Sequence, residues 1–120
     1  IGALPRPPMY TMAGWVLERN EGTLGVTKRK RFAVYDMGKS AFYTYLSEES
    51  AMLDDKPPEF SAIVKYALPR PSKEPGVWEF AFNTDEEHKE GKGKFHEFCV
   101  DTEETQKDWI DSLPPPREFT

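Results

Sequence analysis

DTEETQKDWIDSLPPP, residues 101–116, is the clearest helical segment of this 120-residue chain. Asp101 followed three residues later by Glu104 reads as a capping pair. Acids crowd the first turn, where the helix dipole favours negative charge. Trp109, Ile110 and Leu113 fall within one stripe, with Thr105 and Gln106 a turn earlier. Pro114-Pro115-Pro116 then stops the helix.

Upstream of the helix the period changes from helical to alternating. Residues 95–100 read as a strand, and residues 84–93 as a loop. In residues 77–82 the rings of Trp78, Phe80 and Phe82 recur every second position, so they share one sheet face. Pro69, Pro71, Pro75 and Gly76 allow at most a short edge strand before them. Residues 60–68 read as a fourth strand, with Ile63, Val64 and Tyr66 as its apolar members. Residues 47–59 are polar, with room for a helical turn around Ala51-Met52-Leu53. Residues 41–46 and 28–36 are strands joined by a turn at Met37-Gly38-Lys39-Ser40. Asn20, Gly22 and Gly25 supply the turn before them, and Gly14-Trp15-Val16-Leu17 the first strand. Leu4-Pro5-Arg6-Pro7-Pro8 reads as an extended arm. The expectation is a mainly β fold of six or seven antiparallel strands closed by one C-terminal α-helix. A sheet this small curls into a barrel or an orthogonal sandwich. Trp109 is expected to plug one open end. The layout is a proline-rich arm (1–12), one domain (13–113) and a tail (114–120).

Composition narrows the function. The length fits one domain. Sixteen Lys and Arg face 21 Asp and Glu, a net charge of −5. With a pI near 5.1, bulk nucleic-acid binding is not expected, because phosphate contacts need many unopposed cations. The charge is unevenly placed. Residues 19–39 carry six positives against two negatives, and residues 101–113 carry five negatives against one positive. Such a layout focuses a field despite the negative total. Cys99 is the only cysteine, which excludes an internal disulfide and a Cys₂His₂ or Cys₄ zinc site. There is no Asn-X-Ser/Thr sequon, so a reducing, intracellular setting is expected. No apolar run approaches a membrane span and no leader-like segment is seen. The chain starts at Ile1 and is expected to be part of a longer protein. No Gly-rich phosphate loop, nucleophile elbow or metal-ligand spacing is present, so neither catalysis nor a cofactor is expected. His88 and His96 lack metal spacing, and Cys99 reads as a buried inert thiol.

In order and spacing, four pieces of the chain resemble a pleckstrin homology (PH) domain. They are Gly14-Trp15-Val16, the basic strand Lys28-Arg29-Lys30-Arg31-Phe32-Ala33-Val34-Tyr35, the tyrosine-rich Phe42-Tyr43-Thr44-Tyr45, and the acidic helix with Trp109. The resemblance covers residues 13–113 and implies a seven-stranded bent barrel capped by that helix.

It also implies a site. Many PH domains hold inositol phospholipid headgroups at the barrel's open end, where several fixed cations meet the phosphates. Cations two apart on a strand share a face, giving the pairs Arg29/Arg31 and Lys28/Lys30. Alignment favours Arg29 and Arg31, with Lys28 beside them. A one-residue slip exchanges the pairs and leaves Lys30 as the alternate. Tyr45, or in the other register Tyr43, fills the family's tyrosine role, although Thr44 falls at that position without a gap. Lys94 contributes from the sixth-to-seventh loop, alongside Lys89 and Lys92. Where the family's motif has a lysine late in the first strand this chain has Glu18, with Arg19 next to it.

The resemblance therefore implies a non-catalytic membrane-targeting module for anionic phospholipid headgroups, phosphoinositides in particular. It would be cytoplasmic and only peripheral to the membrane. The alternative is a protein-interaction or autoinhibitory module, which Glu18 and the acidic segments favour. The plain structural reading of residues 28–31 is a solvated edge whose cations block aggregation.

Overall fold

The computed structural model describes residues 10–53, 56–71, 74–84 and 95–116. Seven strands form one antiparallel sheet: β1 (Tyr10–Gly22), β2 (Gly25–Asp36), β3 (Ala41–Tyr45), β4 (Phe60–Ile63), β5 (Tyr66–Arg70), β6 (Trp78–Asn83) and β7 (Phe95–Val100). A short helix, α1 (Glu48–Met52), follows β3, and α2 (Glu103–Ser112) follows β7. The spatial order is β4-β3-β2-β1-β7-β6-β5. The expected bent barrel is thus an open one, with β4 and β5 as its two edges.

The local chemistry explains the turns. Thr23 and Leu24 link β1 to β2, and Gly25 takes a φ of 117°, which side-chain-bearing residues rarely adopt. Asn20 and Gly22, read as part of this turn, instead belong to β1, so the hairpin is longer than expected. After β2 the Lys39 amide donates to both the carbonyl and Oδ1 of Asp36, each at 3.3 Å. The helical turn expected near Ala51 is α1, capped by Ser47 Oγ accepting from the Ser50 amide at 3.1 Å.

The strand expected over residues 60–68 is two strands. The Val64 amide donates back to the Ser40 carbonyl at 2.8 Å, whereas the Lys65 amide donates onward to Asn83 at 2.7 Å. The chain therefore turns from one half of the sheet to the other between these residues. The β5 edge is partly covered by the segment after α2, since the Ala67 amide donates to the Pro114 carbonyl at 2.8 Å. Pro69 on the same strand has no amide to offer.

Helix α2 closes one end. Its N-cap is Thr102, which accepts from the Thr105 amide at 3.1 Å, so the cap lies one residue after the Asp101 expected from the sequence. Asp101 would pair with Glu104, but Thr102 is the residue whose hydroxyl faces the free amide. Trp109 is fully buried, stacked on Phe80 at 5.8 Å and edge-on to Phe42 at 5.6 Å. Phe42 continues the aromatic column to Phe82 at 4.8 Å and Phe98 at 4.9 Å. Each such pair contributes about 0.5–1.5 kcal/mol beyond the area it buries. A smaller cluster of Phe32, Val34, Tyr45 and Ala51 lies on the outer face of the sheet.

Candidate ligand-binding site

The pleat of the first hairpin sorts the basic residues. Val16 is opposite Arg31, Leu17 opposite Lys30, Glu18 opposite Arg29, and Arg19 opposite Lys28. Directly paired residues share a face, and successive residues alternate. Val16, Ala33 and Tyr35 belong to the main core, so Arg29, Arg31 and Glu18 are on the inner face. Lys28, Lys30 and Arg19 are on the outer face. The two cation pairs left open by the sequence thus occupy opposite sides of the strand.

The outer cations are engaged. Arg19 donates to Glu97 and lies 3.7 Å from Glu79, and its own side chain is only 9% exposed. Lys28 Nζ donates to Glu74 Oε2 at 2.8 Å. That bond holds the lysine above its ordinary value and the glutamate below its own. Lys30 Nζ sits 4.6 Å from the centroid of the Trp15 ring, a cation–π contact. Trp15 is 41% exposed and packs edge-on against Phe32.

The inner arginines are differently placed. Neither Arg29 nor Arg31 has an ion pair among the described residues. Arg31 donates from Nη1 to the carbonyl of Lys30 at 2.9 Å, and its buried Nε has no hydrogen-bond partner. Tyr45 does not join them. It is buried on the outer face in the cluster with Phe32 and Ala51, and Tyr43 packs against the same cluster. The residue on the arginine face is Thr44, opposite Ala33 and fully buried. Lys94, with Lys89 and Lys92, lies outside the described residues.

At the end of the sheet remote from Trp109 is a cavity of about 490 Å³, bounded by Glu18, Arg19, Asn20, Glu59, Phe60 and residues 95–98. A smaller cavity of about 260 Å³ lies beside Trp15, Leu17, Lys30 and Val77, with Cys99 in its wall. Burial pushes the Cys99 thiol above its ordinary value, which keeps it protonated and unreactive. Among the described residues no group of His, Cys, Asp or Glu is arranged to hold a metal ion.

Two features escaped the sequence reading. Leu24 is fully exposed at the hairpin tip, and Val26 is about half exposed beside it. An apolar residue between Thr23 and Gly25, where a polar turn is usual, was the available signal. Glu59 had no such signal, since it reaches the mouth only through the β3–β4 pairing.

The sequence pattern of the PH domain family matches residues 10–114. No curated protein matches the chain. Among solved structures, the PH domain of human oxysterol binding protein-related protein 11 is similar, with a TM-score of 0.60 and 16% identity. The match covers 83% of this chain and 73% of that one.

Proposed function

The chain belongs to the PH domain family, whose members are commonly non-catalytic modules that bind lipids or proteins, and on that premise we propose that it docks a larger intracellular protein on membranes. The ligand is an anionic phospholipid headgroup, a phosphoinositide in particular, met by the first hairpin at the cytoplasmic face. No helix among the described residues is long and apolar enough to cross a membrane, so the attachment proposed is peripheral.

One observation carries the reading. Arg29, Lys30 and Arg31 are three consecutive cations with no carboxylate partner among the described residues, while Arg19 and Lys28 are matched by acids of the same chain. They stand at the base of a hairpin that ends in the exposed Leu24. Residues 25–27 of β2 pair with the stretch of β1 beyond its pairing with β7, so the hairpin tip projects past the rest of the sheet. An inclined arm puts Leu24 and Val26 into the interface while the cations remain level with the phosphates. Leu24 adds apolar transfer energy of about 1.5–3 kcal/mol when fully buried.

The test is co-sedimentation with phosphatidylcholine vesicles, with and without a phosphoinositide. Each cation near an anionic surface is worth about 1 kcal/mol, so Arg29→Ala/Arg31→Ala should weaken partitioning about thirtyfold. Leu24→Asp should weaken it further. Equal binding by wild type and the double variant would remove the proposal.

A further inference from the structure

An exposed leucine stands at each end of the inner-face arginine pair, and only one of them, Leu24, takes part in the docking described above. We propose that Leu46 is a second apolar contact with the lipid bilayer. The domain then rests on two feet, Leu24 and Leu46, with Arg29 and Arg31 between them. The inference rests on the membrane reading of the first hairpin and adds an orientation to it.

The position of Leu46 follows from the register. β3 starts with Ala41 opposite Asp36 and ends with Tyr45 opposite Phe32. The chain therefore leaves β3 at Leu46, beside Arg31 and heading toward the hairpin end of the sheet. Tyr45 is held in the outer cluster, so continuing the alternation by one residue gives Leu46 the face of Thr44 and Arg31. It is 58% exposed and belongs to neither apolar cluster. Helix α1 does not cover it, because Ala51 packs α1 against Phe32, Val34 and Tyr45. That helix, with Glu48 and Glu49 in its first turn, thus lies over the outer face.

The distribution of exposed apolar side chains singles out this end. Among the described residues the large ones are Trp15, Leu24, Val26, Met37, Leu46 and Ile63. Leu24 and Val26 are at the hairpin tip, and Leu46 leaves β3 toward that same end. Met37 follows the last residue of β2, and Ile63 is opposite Ala41, so both stand at the other end. Trp15 is on the outer face under Lys30.

Charge alone attaches this end weakly. Arg29, Lys30 and Arg31 are offset by Glu18, opposite Arg29, and by Glu59 at the mouth. An excess of one cation strengthens binding to an anionic surface only about fivefold. Leucines entering the acyl boundary on both sides add to this while the guanidinium groups stay level with the phosphates. Leu24 is seven residues along β2 from Arg31, roughly 23 Å at about 3.3 Å per residue. Contacts so far apart fix the tilt of the domain, which one inserted residue cannot do.

The test is co-sedimentation with vesicles of phosphatidylcholine, phosphatidylserine and phosphatidylinositol 4-phosphate. Leu46→Gln should weaken partitioning about tenfold, as expected when most of a leucine no longer leaves water. Ile63→Gln, an exposed apolar residue at the other end, should leave partitioning unchanged. Both variants should keep the wild-type urea midpoint. A second measurement uses the unaltered chain on bicelles of the same lipids with headgroup spin-labelled phosphatidylcholine. The label should broaden the amide signals of Leu24 and Leu46 and spare those of Met37 and Ile63. Wild type that ignores the vesicles would remove the membrane reading and this inference with it. If wild type binds, the second foot alone is overturned by Leu46→Gln binding equally well, by equal losses in Leu46→Gln and Ile63→Gln, or by broadening at Leu24 without Leu46.

Discussion

Lys28 and Arg29 are neighbours in the sequence and opposites in situation. Lys28 faces outward with Arg19, and both are held by acids from distant parts of the chain: Glu74, Glu79 and Glu97. Arg29 faces inward with Arg31, and no ion pair ties either among the described residues. The difference arises from the alternation of the strand and from what each face meets across the sheet. A run of basic residues is therefore not one patch. Half of this run supports the fold, and the other half is left available to a ligand.

The sharpest way to break that contrast is to exchange the two halves in a stability measurement. Arg19→Ala leaves Glu79, 4% exposed, without its cation. Removing one partner of a buried pair typically costs several kcal/mol, and the partly exposed Glu97 moderates this, so a loss of about 3 kcal/mol is expected in urea denaturation. Arg29→Ala/Arg31→Ala should stay within about 0.5 kcal/mol of wild type, because neither arginine has an ion pair to lose among the described residues. A neutral Arg19→Ala, or an unfolded double variant, would erase the distinction.

A smaller effect sharpens it on the binding side. Glu18 stands directly opposite Arg29 on the inner face. Glu18→Lys replaces a repelling charge with a further cation. Vesicle affinity should rise about fivefold, near the worth of one added cation at an anionic surface. Unchanged or weaker vesicle binding would show that Glu18 does not oppose the headgroup.

The smallest effect concerns the Lys28–Glu74 pair, which is exposed to solvent and screened by salt. Glu74 lies below its ordinary value of 4.5 when folded, chiefly through the hydrogen bond from Lys28. The unfolded chain therefore takes up this proton first as the pH falls. What the pair adds is fully present above about pH 4.5 and disappears as the pH drops through the lower folded value. Lys28 is shifted upward from 10.5, so its share is present below that value and is lost as the pH rises through the higher folded one. Glu74→Gln should lower the urea midpoint slightly at neutral pH, and the difference should vanish in acid. A difference that persists in acid would assign the effect to something other than charge.

Much of the fold could be read from the chain because it depends on local period. The alternation of Trp78, Phe80 and Phe82, and the stripe ending in Trp109 and Leu113, announce a sheet capped by a helix. The corner at Val64 and Lys65 was hidden because the apolar content runs through it, and only the amide partners, Ser40 and Asn83, reveal the change of direction. The candidate site was half legible. Alternation defined both cation pairs, and the ungapped alignment already placed Thr44, rather than a tyrosine, beside the arginines. It could not show which pair acids would claim. Glu97 is 78 residues from Arg19, and Glu74 is 46 from Lys28. No period connects such positions, since the strand order of the finished sheet brings them together.

The projecting hairpin has a bearing on how a chain of net charge −5 can approach a surface of the same sign. Beyond Arg19, where pairing with β7 ends, the arm runs five residues to Leu24. At about 3.3 Å per residue that is roughly 16 Å of reach. Counter-ions at physiological strength damp a field over about 8 Å. Leading with its tip, the hairpin touches the surface before the acidic body enters the range in which lipid and protein would push each other apart.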